Sequence, residues 1–407
     1  MNPENEQQSS YTLAGVYTVD GEVVSSENDE FTSDMTDMSA IFVTNGGSLT
    51  LKNPTIITNG NTSSNDASSF YGLNGAVLVN NGSTVSITGG SITTTGSGAN
   101  GVIPTGEGTV VTLSDMTITA SGGGGHGVMA TLGGSLILQN VDINTTGRNS
   151  APIATDRGSG NVTVTGGTIT SSGIDSPGIY STGQISVTDA VITSTGTEAA
   201  VIEGVNTITL SNTTLTGGVA KTGGVMIYQS FSGDADIGTG TFTMEGGSLT
   251  VPEGPVFFVT NTDAIISLND VVITADSGEL VNAAATSRWG TEGSNGGHVA
   301  MTADNLDLSG SIIADEISTV IATIQNGSNL SGEVHHAGLI IDSSSTWNVT
   351  GDSNLTSLVI PGSISGEEVT NIIGNGYTVV YDPTLQENSP LEGKTYNLQE
   401  GGVLTPE

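Results

Sequence analysis

The sequence is dominated by one phrase that returns along most of its 407 residues. The clearest copy, residues 84–96, reads TVSITGGSITTTG, in which Val85 and Ile87 alternate with polar residues before two glycines interrupt the run. Alternation with a period of two is typical of a strand, and a glycine pair is typical of a bend. Each copy therefore predicts a strand, a corner and a second strand.

Aligning the copies gives three rows of apolar residues without a polar member. The first row is Leu49, Val85, Val111, Leu136, Val162, Ile185, Ile208, Phe242, Ile266 and Val299, and the second is Leu51, Ile87, Leu113, Leu138, Val164, Val187, Leu210, Met244, Leu268 and Met301. The third is Ile56, Ile92, Ile118, Ile143, Ile169, Ile192, Leu215, Leu249, Ile273 and Leu306. Between the second and third rows stand residues that tolerate a left-handed backbone: Asn53, Gly89, Asp115, Asn140, Gly166, Asp189, Asn212, Gly246 and Asp270. We expect the rows to point inward and the chain to turn a corner at each bend residue.

The spacing of the copies is typical of a solenoid. Most first-row residues follow one another at 23 to 26 positions. A short apolar segment after a Gly-rich turn supplies a third strand, as at Val77–Val79, Val128–Ala130 and Ile153–Thr155. Three strands and three corners per repeat predict an all-β parallel β-solenoid of about a dozen coils, stacked about 4.8 Å apart. Each coil contacts only its neighbours, so both ends need caps.

We divide the chain into an N-terminal tail with capping strands (1–39), the solenoid (40–360) and a C-terminal cap (361–407). Residues 11–24 alternate around Asp20-Gly21, a dipeptide typical of a hairpin turn, and this predicts a capping hairpin. Residues 22–37 concentrate six acidic side chains. These are candidate calcium ligands or simply a solvated acidic edge, since they lack a fixed ligand spacing.

Composition limits the partners of this chain. It has 41 acidic residues, six basic residues and no cysteine, which give a formal net charge of −35. Such a surface repels nucleic acid and anionic lipid, so we expect neither as a partner. No apolar run is long enough to span a bilayer, and residues 1–10 do not have the pattern of a signal peptide. The absence of cysteine is compatible with a secreted or wall-exposed protein.

Three repeats carry insertions, at residues 59–72, 228–240 and 284–297. Counted from the third strand, the second and third insertions leave the same corner two coils apart, about 10 Å from each other. They contain the residues that we predict as a ligand-binding site: Tyr228, Phe231, Asp234, Asp236, Arg288 and Trp289. An exposed aromatic ring beside carboxylates suits stacking on a sugar and hydrogen bonding to its hydroxyls. The alternative is that Trp289 and Phe231 fold inward and only cover the corner.

The winding of residues 40–360 resembles that of right-handed parallel β-helix proteins. The stretch STWNVTGDSNLTSLVI, residues 345–360, looks like the coils of adhesin-like and autotransporter-passenger proteins of bacterial or archaeal surfaces. The resemblance implies a right-handed helix that is exported to the cell surface for adhesion or as structural material. We therefore predict an extracellular, non-enzymatic protein that binds carbohydrate or another surface ligand and assembles end to end. No cofactor is expected, and calcium is the one candidate ion.

The same winding also resembles pectate lyases and polyuronate hydrolases. Those enzymes place clustered carboxylates with a basic residue, or paired aspartates, on one outer strand face. Here Arg148, Asp156 and Arg157 come from consecutive corners and could meet, with a surface charge pair as the simpler account. The four histidines show no metal-ligand spacing, and His335-His336 would point to opposite faces of a strand.

A third alternative comes from the outward positions beside the third row. They form T-x-T or S-x-T pairs: Ser91 and Thr93, Thr117 and Thr119, Thr168 and Thr170, Thr214 and Thr216, Ser248 and Thr250. A flat array of this kind resembles the ice-binding face of some β-solenoid antifreeze proteins. Asp142 with Asn144, Val191 and Val272 interrupt it, and exposed threonine is in any case a good strand former.

Overall fold

The computed structural model describes residues 11–407, which fall into two units. The first unit comprises residues 11–209, 213–217 and 232–236. The second comprises residues 210–212, 218–231 and 237–407. Both are built mainly from short parallel strands, as the repeat predicts.

In the first unit the strands recur in a fixed order of three. They are Gly15–Asp20 (β1), Val23–Glu27 (β2), Glu30–Ser33 (β3), Ser39–Thr44 (β4), Ser48–Lys52 (β5), Thr55–Thr58 (β6), Val77–Val79 (β7), Thr84–Thr88 (β8), Ser91–Thr94 (β9), Val102–Pro104 (β10), Val110–Ser114 (β11), Thr117–Ala120 (β12), Val128–Ala130 (β13), Ser135–Gln139 (β14), Asp142–Thr145 (β15), Ile153–Thr155 (β16), Asn161–Thr165 (β17), Thr168–Ser171 (β18), Ile179–Ser181 (β19), Gln184–Thr188 (β20), Val191–Ser194 (β21), Ala200–Glu203 (β22), Thr207–Ser211 (β23) and Thr214–Thr216 (β24). The last two residues of β23 are counted with the second unit.

Every third strand pairs in parallel with the next, which gives three strand stacks. Stack 1 runs from β1 and β4 to β22, stack 2 contains β2, β5, β8 and the strands that follow in that order, and stack 3 runs from β3 and β6 to β24. Val85 pairs with Leu49 on one side and Val111 on the other, so each apolar row lines up residue for residue. The parallel β-solenoid predicted from the sequence is therefore confirmed.

The inward rows and the corners are also confirmed. The described first-row and second-row residues are at most 4% exposed, and Ile118 and Ile143 of the third row are register partners buried at 0% and 1%. The predicted bend residues all have positive φ, from 47° at Asn212 to 68° at Gly89. Ile273 is the exception among the rows, because it is only half-buried.

The second unit continues with longer strands. They are Val225–Tyr228 (β25), Gly240–Glu245 (β26), Ser248–Val251 (β27), Phe257–Thr260 (β28), Thr262–Asn269 (β29), Val272–Ala275 (β30), Glu279–Ala283 (β31), Gly297–Asp304 (β32), Asp307–Ser309 (β33), Ser311–Ala314 (β34), Thr319–Gln325 (β35), Asn329–Gly332 (β36), Val334–Ile341 (β37), Thr346–Val349 (β38), Ser353–Val359 (β39), Ile364–Ser365 (β40), Glu368–Ile373 (β41), Thr378–Tyr381 (β42), Tyr396–Gln399 (β43) and Val403–Pro406 (β44). A 3₁₀ helix, Gln386–Leu391, lies between β42 and β43.

Parallel pairing also dominates this unit, with local departures near its end. β37 pairs first with β34 and then with β35, and its register shifts around His336, whose φ is 53°. β40 pairs with β41, and β43 with β44, in antiparallel fashion. The closing segment is thus organised differently from the repeats, and its role as a cap stays a prediction.

The predicted N-terminal hairpin is wrong. β1 and β2, on either side of Gly21, pair in parallel with β4 and β5 and form part of a coil. The coil therefore begins at Gly15, ahead of the predicted start at residue 40. The Asp20-Gly21 turn is a corner of the solenoid, where Gly21 at φ 67° adopts the backbone that a hairpin turn would also require. The predicted tail at residues 1–10 lies outside the described residues.

The first insertion contains a helix that the sequence patterns do not predict. Helix α1 spans Asn65–Tyr71 and begins after Ser64, whose side chain accepts a hydrogen bond from the backbone N–H of Ala67. It ends at Gly72, which has φ 80°. The helix buries Ala67, Phe70 and Tyr71.

Candidate functional site

The outer surface of stack 1 is apolar, and this property positions the site. Its outward row, which aligns in register from strand to strand, is buried: Phe42, Leu78, Ile103, Met129 and Ala154. A strand whose residues are buried on both sides reads as a continuous apolar run, as Val77–Val79 does. Something must therefore cover stack 1 from outside.

Helix α1 supplies one part of this cover. The ring of Phe70 packs edge-on against that of Tyr71, with 6.3 Å between the centroids. Leu13 packs against both the helix cluster and the outward row of stack 1. The backbone carbonyl of Phe70 accepts a hydrogen bond of 3.0 Å from the hydroxyl of Thr131, which fastens the C-terminal end of the helix to stack 1.

Residues 232–236, from the second insertion, form another wall over the same stack. The hydroxyl of Ser232 donates to a carboxylate oxygen of Glu203 over 3.2 Å, and the backbone N–H of Val205 donates to the carbonyl of Asp236 over 3.0 Å. Within this segment Ala235 is buried. Helix α1 and residues 232–236 thus rise from stack 1 at different coils and leave a space between them.

That space is a cleft of about 570 Å³, which we call the Arg157 cleft. Its lining is mostly polar: Tyr71, residues 157–159, Thr182, Gln184, residues 205–207 and residues 232–236. A volume of several hundred Å³ with a few converging polar groups is typical of small-molecule sites. All of these residues belong to the first unit.

Arg157 connects the two walls. Its guanidinium carbon lies 3.8 Å from the centroid of the Phe70 ring on helix α1. Its Nη2 atom lies 3.2 Å from Oδ1 of Asp234 in the other wall. The side chains of Arg157 and Asp234 are 26% and 20% exposed, so water screens this ion pair less than a surface pair. The arginine therefore holds both insertions at a fixed separation.

Two polar atoms at the cleft have no hydrogen-bond partner among residues 11–407. They are Nε of Arg157 and Oγ1 of Thr182, and both are buried. Buried polar atoms are nearly always hydrogen-bonded to protein, water or ligand, because leaving one unpaired costs roughly 1–3 kcal/mol. Both atoms are closed off from water by the surrounding side chains, so they belong to the polar wall of the cleft and are not contact points for a ligand.

Two further carboxyl groups stand next to the cleft. Glu203 is buried and accepts a hydrogen bond of 2.6 Å from the hydroxyl of Tyr180. Burial raises the pKa of Asp156 to about 8, and the negative charges of Asp234 and Glu203 raise it further against the opposing backbone hydrogen bond from Arg157. Asp156 is thus protonated at neutral pH. The carboxyl group of Asp156 is therefore uncharged, although Arg157, Asp234 and Glu203 beside it are charged.

The predicted site residues are divided between the two units. Asp234 and Asp236 belong to the first unit and line the Arg157 cleft. Tyr228, Phe231, Arg288 and Trp289 belong to the second unit. There the rings of Tyr228 and Trp289 lie 5.0 Å apart, and the guanidinium of Arg288 lies 4.5 Å from the centroid of the Trp289 ring. The second and third insertions therefore bring Tyr228 and Trp289 together, as their shared corner predicts.

Phe231 and Trp289 differ in exposure. Phe231 is 75% exposed and does not fold inward. Trp289 is half-buried between Tyr228 and Arg288. A second cavity, of about 640 Å³, lies beside this cluster and is lined by residues 285–287, 290, 292, 293, 295 and 315–317. Its charged lining residues, Glu292, Asp315 and Glu316, are all acidic.

The other candidate charges of the sequence have ordinary partners. Arg148 pairs with Asp175 at 2.7 Å on the surface and does not meet Asp156. His335 contacts Glu333 and Asn354, while His298 contacts Thr319. In the part of the chain that the structure describes, no group of three or more His, Asp or Glu side chains is arranged to hold a metal ion. Within the same residues, no helix is long and apolar enough to cross a membrane.

The threonine pairs of stack 3 align across the first unit. Thr93, Thr119, Asn144, Thr170, Thr193 and Thr216 are successive register partners. The neighbouring column contains Asp142 and Val191 between threonines. The array is regular along the backbone and chemically mixed at its surface.

The sequence points to the second insertion and, separately, to Asp156 and Arg157, but it does not connect Arg157 with Asp234 and it misses Glu203. The available signal is a column of outward residues at the C-terminal ends of the stack 1 strands. In register this column reads Thr105, Thr131, Asp156, Thr182 and Glu203. Two carboxyl groups among threonines in one column mark the location of the cleft.

No protein-family model matches this chain, and neither does any curated protein sequence.

Proposed function

We propose that this protein is an extracellular, adhesin-like surface protein that binds carbohydrate in the Arg157 cleft. The observation that carries the proposal is a cleft of about 570 Å³ in whose lining a guanidinium, Arg157, and two carboxylates, Asp234 and Asp236, come together. The net charge of −35 and the lack of cysteine support an exported protein that stays soluble at a cell surface.

The chemistry of the lining favours a neutral sugar. Carboxylates at Asp234 and Asp236 accept hydrogen bonds from hydroxyls, while Gln184 and Arg157 donate them. Tyr71, a buried residue of helix α1, forms part of one wall. An anionic sugar would meet two carboxylates and a single guanidinium, so we expect uncharged saccharides to bind in preference.

The test is a glycan array probed with the intact chain, with and without calcium. The array should include linear β-1,4-linked oligomers of glucose, xylose, mannose and N-acetylglucosamine, from the monosaccharide to the hexasaccharide. We expect Asp236→Asn and Gln184→Ala to weaken capture. The matched control is Asp189→Asn, an exposed corner residue with φ 54° at which asparagine is equally well accommodated. Equal capture by wild type, both cleft variants and the control would contradict the proposal.

A polysaccharide hydrolase is the second candidate, and Asp156 is the observation that favours it. An acid with a pKa of about 8 beside the carboxylate of Asp234 supplies a proton donor and a base in one place, as glycoside hydrolysis requires. Asp156 is not among the residues that line the cleft, and for this reason we place binding first. Release of reducing ends from an array member, lost in Asp156→Asn, would establish the enzyme.

Ice binding through stack 3 is a third candidate, favoured by the register of its threonine column. Thermal hysteresis of the wild-type protein measures this activity directly. It should disappear in Thr119→Tyr, which breaks the column at its centre. Wild-type protein without hysteresis removes this candidate and leaves the cleft unaffected.

A further inference from the structure

A smaller cavity lies on the same outer surface of stack 1 as the Arg157 cleft. It measures about 330 Å³ and also belongs to the first unit. Asn65 and Ser69 of helix α1 line it from above, and His126, Asn149, Asp175 and Tyr180 complete its polar lining. We call it the His126 cavity.

The two sites lie at opposite ends of the same strands. Lining residues of the His126 cavity precede β13, β16 and β19: His126, Ala151 and Pro177. Lining residues of the Arg157 cleft follow β16, β19 and β22: Arg157, Thr182 and Val205. Because the strands are parallel and rise about 3.3 Å per residue, the sites are separated by roughly 15 Å along the strands. One sugar ring does not cover this distance, whereas a chain of several rings does.

Tyr180 connects the two sites. Its ring lines the His126 cavity and packs on the outward row of stack 1, and its hydroxyl donates to Glu203 at the cleft end. Under helix α1 the same row consists of Leu78, Ile103 and Met129, which are at most 1% exposed. Tyr180, in contrast, is half-buried and presents part of an aromatic surface between the sites. Aromatic rings with a tethered polar tip suit contact with the apolar face of a sugar.

The lining of the His126 cavity is suited to hydroxyl groups. The Nδ1–H of His126 donates to the carbonyl of Ala151 over 3.2 Å, and burial lowers the pKa of this histidine to about 4. The imidazole is therefore neutral at physiological pH, and Nε2 is its accepting nitrogen. Asp175, the single carboxylate of the lining, forms an ion pair with Arg148. The remaining polar groups are the amides of Asn65 and Asn149 and the hydroxyls of Ser69 and Tyr180.

We propose that the ligand is a linear, uncharged oligosaccharide that occupies the Arg157 cleft and the His126 cavity at once, with a sugar ring on Tyr180 between them. This inference rests on the proposed carbohydrate function and specifies the length and course of the ligand. In this arrangement the outer surface of stack 1 is the floor of an extended binding groove, and helix α1 lies along one side of it.

The experiment compares affinity with chain length, using calorimetry with the β-1,4-linked oligomer series named above. In the wild type we expect affinity to rise from the disaccharide to the longest members. The double variant Asn65→Ala, Ser69→Ala removes two polar groups from the His126 cavity. Both residues lie in helix α1, where alanine is favourable. This variant should lose about tenfold in affinity for long oligomers, as expected for two lost hydrogen bonds, and bind the disaccharide as wild type does.

Two substitutions at Tyr180 distinguish the contribution of the aromatic ring from that of the hydroxyl. Tyr180→Phe keeps the ring and should retain length dependence, whereas Tyr180→Leu should remove it. Asp66→Ala, an exposed residue of the same helix outside the lining, is the control, and melting temperatures identify any variant that fails to fold.

The outcomes distinguish the two proposals. Equal affinity for short and long oligomers, with Asn65 and Ser69 dispensable, overturns the extended groove and leaves carbohydrate binding in the cleft intact. Failure of every oligomer to bind overturns both. Length dependence that survives loss of the His126 cavity groups also contradicts the groove.

Discussion

Asp156 is a residue whose protonation state is set by the site around it. Its carboxyl group follows a stack 1 strand, next to the arginine that joins both walls of the cleft. The folded-state pKa of about 8 lies above the ordinary value of 3.8. The folded protein therefore holds a proton that the unfolded chain releases between about pH 4 and pH 8.

This difference predicts a pH dependence of stability. Since the folded state binds more protons across that window, the contribution of Asp156 to the free energy of unfolding falls as pH rises. Asp156→Asn removes the group, so its stability relative to wild type should increase from about pH 4 to pH 8. Urea unfolding at a series of pH values measures this difference. Parallel curves for the two proteins would show that Asp156 is ionised normally in the folded state, and Asp189→Asn provides the exposed reference.

At the scale of elements, helix α1 is short but covers part of the apolar outer surface of stack 1. It has seven residues, which is too few for a stable helix in isolation, so its stability comes from packing on stack 1 and from its ends. Ser64 accepts a hydrogen bond from Ala67, and Gly72 closes the other end in a left-handed conformation.

The cap of this helix gives the second prediction. Ser64→Ala should cost roughly 0.5–2 kcal/mol of unfolding free energy, the usual range for a lost N-cap. Hydrogen exchange should show faster opening of the backbone amides of residues 67–72 while the amides of stack 3 remain unaffected. Ser63→Ala, an exposed neighbour outside the helix, is the matched control. If both serine variants exchange alike, the hydroxyl of Ser64 does not hold the helix.

The limits of prediction follow the same division between repeated and inserted elements. Strand rows and corners could be predicted because each position is repeated: Asp115, Asn140 and Asp189 all occupy the same left-handed corner. Stack 1 strands such as Ile153–Thr155 were predicted to the residue. Helix α1 could not be predicted, because it occurs once and its apolar residues, Ala67, Phe70 and Tyr71, are too few to set a period.

The site shows the same contrast. The pairing of Tyr228 with Trp289 follows from counting corners, which fixes where the insertions leave the coil. The ion pair between Arg157 and Asp234 joins residues 77 positions apart through a loop without a repeat. No spacing rule connects them, and only the path of residues 232–236 over stack 1 brings them together.

At the scale of the whole molecule, stability rests on rows that pass from coil to coil. Ile118 pairs with Ile92 on one side and Ile143 on the other, and all three are buried. In a solenoid each repeat is stabilised by its neighbours, so a defect in one coil affects the coils beside it.

This stacking gives the third prediction. Ile118→Asp places an unpaired carboxylate in the core and should abolish the folded state of the adjoining coils, with proteolysis starting near residue 118. Thr119→Asp, one residue further and facing outward, should change the unfolding free energy by less than about 0.5 kcal/mol. Limited proteolysis with mass spectrometry compares the two variants. Similar protection of both would contradict the inward orientation of the row.

The first coil gives the fourth prediction. Within residues 11–407, β1, β2 and β3 each pair with a strand on one side, and no strand covers their other edge. Open parallel edges invite pairing with another chain, so we expect association of copies through this end. Sedimentation should show oligomers that increase with concentration and that disappear when Val23, which is 87% exposed, is changed to proline. A monomer at all concentrations would contradict this assembly.

The register of the stacks also determines how such a gene can change its length. Val85 and Val111 are register partners 26 positions apart, so one turn of the chain returns to the same place in the stack. A tandem duplication of that segment would repeat the inward rows in phase and add a turn without altering those on either side. Duplication of a segment that is not a whole turn would place polar residues in the core. We therefore expect solenoids of this kind to lengthen by whole turns. New structural elements, such as helix α1, should arise as insertions at the corners.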